Sequence, residues 1–169
     1  ETPFAIAWSR ENVRFLKTNS GKKGEGMPVV RNPQFNFKEG FCWNNVLTTY
    51  IRCRQKQKTV QSTESMSFFS MIDSVPEFYM ITIMNSSFAA FYIDTFVNST
   101  SHCTTGDAKL IPMVIPTQKA LETIKPLFEK AVELKKSVAN GSATERQISV
   151  ELQKIEHILN EFVNHLYSI

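Results

Sequence analysis

No unbroken apolar run of membrane length occurs in this chain. A bilayer-spanning helix needs about 20 consecutive apolar residues, and the richest region, residues 78–97, is interrupted by Thr82, Asn85, Ser86, Ser87 and Asp94. Hydrocarbon would leave those polar groups unpaired, so the region is expected to form buried helix instead. Nor does any charged stretch followed by an apolar one have the form of a signal peptide. With Glu1 as its first residue, the chain is expected to be an excised cytoplasmic domain. Cysteine is scarce: Cys42, Cys53 and Cys103 form no Cys-x-x-Cys pair. Their odd number argues against a disulfide framework, and reduced thiols are expected.

The usual marks of catalysis and cofactor binding are also missing. The loop Thr18-Asn19-Ser20-Gly21-Lys22-Lys23-Gly24-Glu25-Gly26-Met27-Pro28 lacks the Gly-Lys-Ser/Thr ending of a phosphate-cradling loop, which leaves a mobile basic segment facing phosphate or solvent. His102-Cys103 has no spaced third and fourth ligand for zinc. Cys42 and Cys53 have no histidine close in sequence to activate them, and no carboxylate pair suits acid–base work. Asn32-Pro33-Gln34-Phe35 resembles the Asn-Pro-Pro-aromatic loop with which amino-methyltransferases hold a flipped adenine. However, Gln34 replaces a backbone-fixing ring and no glycine-rich motif precedes it, so a proline turn before a strand is expected.

What remains describes a folded unit with uneven charge. The 169 residues are 42% hydrophobic and 21% charged, enough to bury one core. The net charge of +3 conceals an asymmetry: residues 1–60 hold eleven Lys/Arg against four acids, whereas the remainder holds eight against twelve. A basic N-terminal part suits a surface that lies along phosphates, because each neutralised phosphate releases condensed counterions.

Local patterns suggest an α+β fold: a mixed, largely antiparallel sheet core with helices over residues 1–116, then an antiparallel helical hairpin over 117–169 that packs on the core or on a partner domain. Phe4-Ala5-Ile6-Ala7-Trp8 and Val13-Arg14-Phe15-Leu16-Lys17 read as short strands around a Ser9-Arg10-Glu11-Asn12 turn. Residues 46–51 and 66–72 lean towards strand. Between them Arg52, Arg54, Lys56 and Lys58 alternate, so one extended strand would align all four cations on one face. From Glu77 the periodicity is helical, with a joint at Asn85-Ser86-Ser87 where Ser86 or Ser87 caps a second segment. Residues 98–107 read as loop, and Leu110-Ile111-Pro112-Met113-Val114-Ile115-Pro116 as an extended segment bounded by prolines. Leu121, Ile124, Phe128, Ala131, Leu134 and Val138 share a helix face, with Pro126 expected to start a new helix or kink the existing one. Ser142/Glu145 and Thr144/Gln147 both have capping-box spacing ahead of an Ile148, Leu152, Ile155, Leu159, Phe162, Leu166 seam. His157 and His165 lie off that seam, where exposed surface is expected.

Arg31-Asn32-Pro33-Gln34-Phe35-Asn36-Phe37-Lys38-Glu39-Gly40-Phe41-Cys42-Trp43 resembles the Phe-Lys/Arg-Glu-Gly-aliphatic-Thr-Trp-Ser block of the TaqI-like C-terminal specificity domain of restriction-modification adenine methyltransferases. Three further blocks follow in the same order. Met80-Ile81-Thr82-Ile83-Met84-Asn85-Ser86-Ser87-Phe88 is similar to the family's Leu-Asn-Ser-Lys joint, with Phe88 where the family has a basic residue. Thr105-Gly106-Asp107-Ala108-Lys109-Leu110-Ile111-Pro112 is similar to Gly-Asp-Ile-x-x-Ile-Pro. The stretch from Ile155 to Tyr167 is similar to the terminal Ile-Asp-x-x-Val-Tyr-x-Leu-Tyr helix. The chain also resembles type I specificity-subunit recognition domains.

The resemblance implies recognition of double-stranded DNA by a non-catalytic fragment. Methyl transfer, S-adenosylmethionine and any nuclease would then belong to an upstream domain of the parent enzyme. Lys22, Lys23, Arg31, Arg54, Lys56 and Lys58 are expected at phosphates. Asn44, Asn45, Arg52 and Gln55 are expected at base edges, where amides pair with adenine and guanidinium with guanine. Trp43 is either a wedge against DNA or a core residue supporting the Gly40 turn, and the large area of an indole favours the core. The alternative function is a protein interaction or dimerisation module acting through the C-terminal helices.

Overall fold

The computed structural model describes residues 6–18, 32–46, 51–60 and 65–168. Helix α1 spans Arg10–Thr18, strand β1 Gly40–Asn44, β2 Arg54–Lys56 and β3 Ser65–Phe68. Helices follow: α2 Glu77–Met84, α3 Ser87–Tyr92 with a π-helical turn Ile93–Val97, α4 Thr105–Ala108, α5 Gln118–Ala139 and α6 Glu145–Tyr167. The α+β class and the closing helical hairpin are both as expected.

The start of the chain corrects the expected strand at residues 13–17. Ser9 does not open a turn between strands; its hydroxyl accepts the Asn12 N–H at 3.1 Å, and its carbonyl accepts Val13 N–H at 2.9 Å. An N-capping serine followed by Glu11 in the first turn satisfies orphan amides and suits the helix dipole, so it outweighs the strand preference of Val13 and Phe15.

The sheet is antiparallel in the order β2-β1-β3. Phe41 sits opposite Phe68 and Trp43 opposite Met66, so alternation sends both β1 aromatics to one face. There Trp43 and Phe68 meet edge to face with centroids 4.9 Å apart, and Phe41 meets Phe68 at 5.8 Å. The indole N–H of Trp43 donates to the Cys103 carbonyl at 3.0 Å, which places Trp43 in the core rather than against a ligand. Within the expected loop 98–107, Val46 bridges His102, and Thr104 caps α4.

Helix α2 is apolar nearly all round and correspondingly buried, with Tyr79, Ile81, Ile83 and Met84 inside. It bends by 60° into α3 at the expected joint, where Ser86 accepts the Ala89 N–H as cap. Among the described residues no single helix is long and apolar enough to cross a membrane. The proline-bounded segment is held without a ladder: Tyr79 and Tyr167 donate their hydroxyls to the Val114 and Pro112 carbonyls at 2.7 and 2.6 Å. Burial pushes the Tyr79 phenol up to about 12.

In the hairpin, α5 is one helix through Pro126 rather than two. The Pro126 ring lies on the exposed side of the helix. Gly141 turns the chain at φ 78°. Of the two possible caps, Thr144 and Gln147 form the capping box. Ile148, Leu152 and Ile155 are buried as expected; Val163, outside the expected seam, is fully buried too. Ile124, Phe128 and Val163 join the same apolar cluster as Phe41, Trp43 and Tyr79, so the hairpin packs on the sheet-bearing part.

The Gly-Asp block acts locally as a cap. Asp107 accepts the Thr104 N–H and hydroxyl, both at 2.8 Å, and these bonds hold its carboxyl below the usual carboxylate range. A depressed folded-state value means that the stabilisation is present at neutral pH and lost as pH falls through that value. Asp107→Ala is therefore expected to cost about 1 kcal/mol at neutral pH. The difference from wild type should shrink below the unfolded carboxylate value of about 4. Urea titrations at neutral and strongly acidic pH would show this, and a gap independent of pH would reject the assignment.

Candidate nucleic-acid interface

Strand β1 ends at the solvent-exposed Asn44, and β2 begins at the equally exposed Arg54. Cys42 pairs with Arg54 and Phe41 with Gln55. Alternation therefore puts Arg54 on the sheet face of Cys42 and Asn44, and Gln55 on the opposite face with Phe41. On the first of these faces, the Arg54 guanidinium donates to Asn44 Oδ1 at 2.9 Å. The arrangement fixes one amide and one guanidinium side by side, two groups suited to base edges in a major groove.

The expected four-cation stripe does not form. Strand geometry covers only Arg54–Lys56, and the chain then turns, with Thr59 N–H donating to the Gln57 carbonyl at 2.7 Å. Lys56 shares a sheet face with Arg54 but is 8% exposed. Its ammonium donates to the Lys38 and Thr59 carbonyls, each at 3.1 Å, and lies 5.5 Å from the centre of the Phe69 ring. Burial lowers its pKa. Lys56 thus braces the segment entering β1, with its ammonium bonded inside the protein. Lys58 is exposed but lies 3.8 Å from Glu39, a surface pair worth little energetically. Arg52 is exposed, two residues before Arg54.

Two other expected base contacts, Gln55 and Asn45, have surroundings different from those of Asn44. Gln55 faces a groove of about 980 Å³ between β2 and the hairpin, near Phe128 and Val132. Asn45 is half-buried, and its backbone carbonyl accepts Cys103 N–H at 2.9 Å. Lys22, Lys23 and Arg31 lie outside the described residues. Asn32-Pro33-Gln34-Phe35 is a left-handed Asn32 followed by a 3₁₀ turn, as expected for a proline turn before a strand. Phe35 stacks on Phe69 at 5.1 Å, with the Lys38 ammonium 5.5 Å from its ring centre. Gly40 has no room for a side chain, since a Cβ would come within 2.5 Å of the Phe68 carbonyl oxygen.

One supporting residue was not anticipated. Asn85, at the α2–α3 joint, accepts the Cys53 N–H at 2.6 Å and donates to the Cys53 carbonyl at 3.0 Å. Its side-chain amide thus acts like a neighbouring strand and holds the backbone next to Arg54. A polar residue closing an apolar helix was the available signal, but its partner lies 32 positions away in sequence. Ser87 similarly donates its N–H and hydroxyl to Asn160 Oδ1 on α6, at 2.8 and 3.0 Å. The Cys53 and Cys103 thiols are pushed up by burial, Cys103 to about 11, and both are protonated at neutral pH.

No family model matches the chain, and no curated protein sequence matches it either.

Proposed function

We propose that this chain is the DNA-reading part of a restriction-modification methyltransferase, with catalysis and S-adenosylmethionine binding in an upstream domain of the same cytoplasmic protein. The observation that carries this reading is the exposed, hydrogen-bonded Asn44–Arg54 pair in the basic first part of the chain. The four resembling blocks lend it further support. Two of them frame the pair directly: the Gly40 block forms β1, and the Asn85 joint clamps β2. The interaction-module alternative is less favoured because the hairpin's Ile124, Phe128 and Val163 are already committed to the core.

Selection of binders from a randomised duplex pool should enrich one motif. Arg54→Ala should relax that motif at one position and weaken binding by about 1 to 3 kcal/mol. A wild-type chain that enriches no motif would remove the sequence-reading role.

A further inference from the structure

Helix α1 creates a neighbourhood that a strand would not. In a helix, residues 10, 14 and 17 lie within about 60° of one another around the axis, so Arg10, Arg14 and Lys17 form one cationic row. All three are exposed, while Val13 and Leu16, on the adjoining face, are half-buried. Glu11, the helix's one acid, points about 100° away from Arg10 and about 120° from Lys17, and lies about 60° from Arg14. Among the described residues Arg10 and Lys17 make no ion pair. Just before the helix, Trp8 meets Phe37 edge to face at 5.9 Å, joining α1 to the segment that enters β1.

We propose that the Arg10, Arg14 and Lys17 face of α1 is a sequence-independent phosphate contact for duplex DNA. This rests on the DNA-reading role proposed above and adds a second, purely electrostatic surface to it. The dimensions agree. Seven residues of helix rise about 10 Å, and the same axial distance along B-DNA carries about three phosphates on one strand. A row of three exposed cations complements such a backbone, and phosphate contacts position a protein without reporting sequence.

The test is fluorescence anisotropy with a labelled random-sequence duplex across a salt series, using the full chain and its Arg10→Gln, Arg14→Gln, Lys17→Gln triple variant. The dependence of log affinity on log salt should become shallower by about 0.9 per lost contact, about 2 to 3 in all. The loss should be equal for duplexes of different sequence. The charge-preserving variant Arg10→Lys, Arg14→Lys, Lys17→Arg should keep the wild-type slope. Wild-type binding with an unchanged slope in the Gln variant would overturn the α1 contact and leave the DNA-reading role standing. A lost slope in the charge-preserving variant would equally overturn it. Failure of the wild-type chain to bind duplex even at low salt would remove both. Binding to phosphatidylserine vesicles in place of duplex, abolished by the Gln variant, would assign the row to a membrane surface and overturn the proposal.

Discussion

Trp43→Ala is expected to destabilise the domain by about 3 to 5 kcal/mol, the range for emptying a large buried aromatic site. Trp43 is fully buried and packs against Phe68, and its indole N–H satisfies the Cys103 carbonyl. Truncation would therefore open a cavity and leave that carbonyl unpaired, a combination surrounding side chains cannot repair by small shifts. Urea unfolding followed by circular dichroism would measure the loss as a lower midpoint. Trp43→Phe should retain most of the packing and lose chiefly the hydrogen bond, at about 1 to 3 kcal/mol. If alanine and phenylalanine were equally mild, Trp43 would not be the centre of this core. Asn44 follows it directly, so the same buried indole that stabilises the sheet also anchors one half of the candidate reading pair.

Asn85→Ala should have the second largest effect. It leaves both backbone groups of the buried Cys53 without their partner. Each unsatisfied buried group costs about 1 to 3 kcal/mol, and partial entry of water at this part-buried site places the sum at about 2 to 4 kcal/mol. Asn85→Asp keeps an acceptor for the Cys53 N–H but loses the donor, so its loss should be intermediate. Hydrogen exchange at the Cys53 amide gives a local readout: it should accelerate in Asn85→Ala well before global unfolding. Unchanged exchange there would mean that the clamp does not hold β2, and the link between the α2–α3 joint and Arg54 would fall. The joint block would then stabilise helices only.

Side-chain exposure around β2 shows where sequence reasoning stopped. Arg54 and Lys56 have the same alternation, charge sign and strand, yet one reaches solvent and the other is bonded to two carbonyls. Phe69 and the Lys38 segment cover Lys56, and both approach from elsewhere in the sequence. A two-residue period predicts which side chains share a face, not whether that face is covered. Gln55 parted from Asn44: grouped with it as a base reader, it lies on the opposite sheet face because it is opposite Phe41 in register. Val163 was missed because the core-facing stripe of α6 is wider than a strict heptad seam.

Some features were legible because their causes lie within a few residues. The apolar seam of α6 and the helix starts near residues 86 and 144 depend on groups about one helical turn apart, so spacing narrowed the caps to Ser86 or Ser87 and to Ser142 or Thr144, and the structure selects Ser86 and Thr144. The concentration of cations in the first 60 residues is likewise a property of the chain itself. Tertiary structure decided which cations are available, how short β2 is, and that Asn85 supplies a partner to Cys53. Those outcomes depend on contacts between distant segments, whose geometry arises only when the sheet, the α2–α3 joint and the hairpin close around one core.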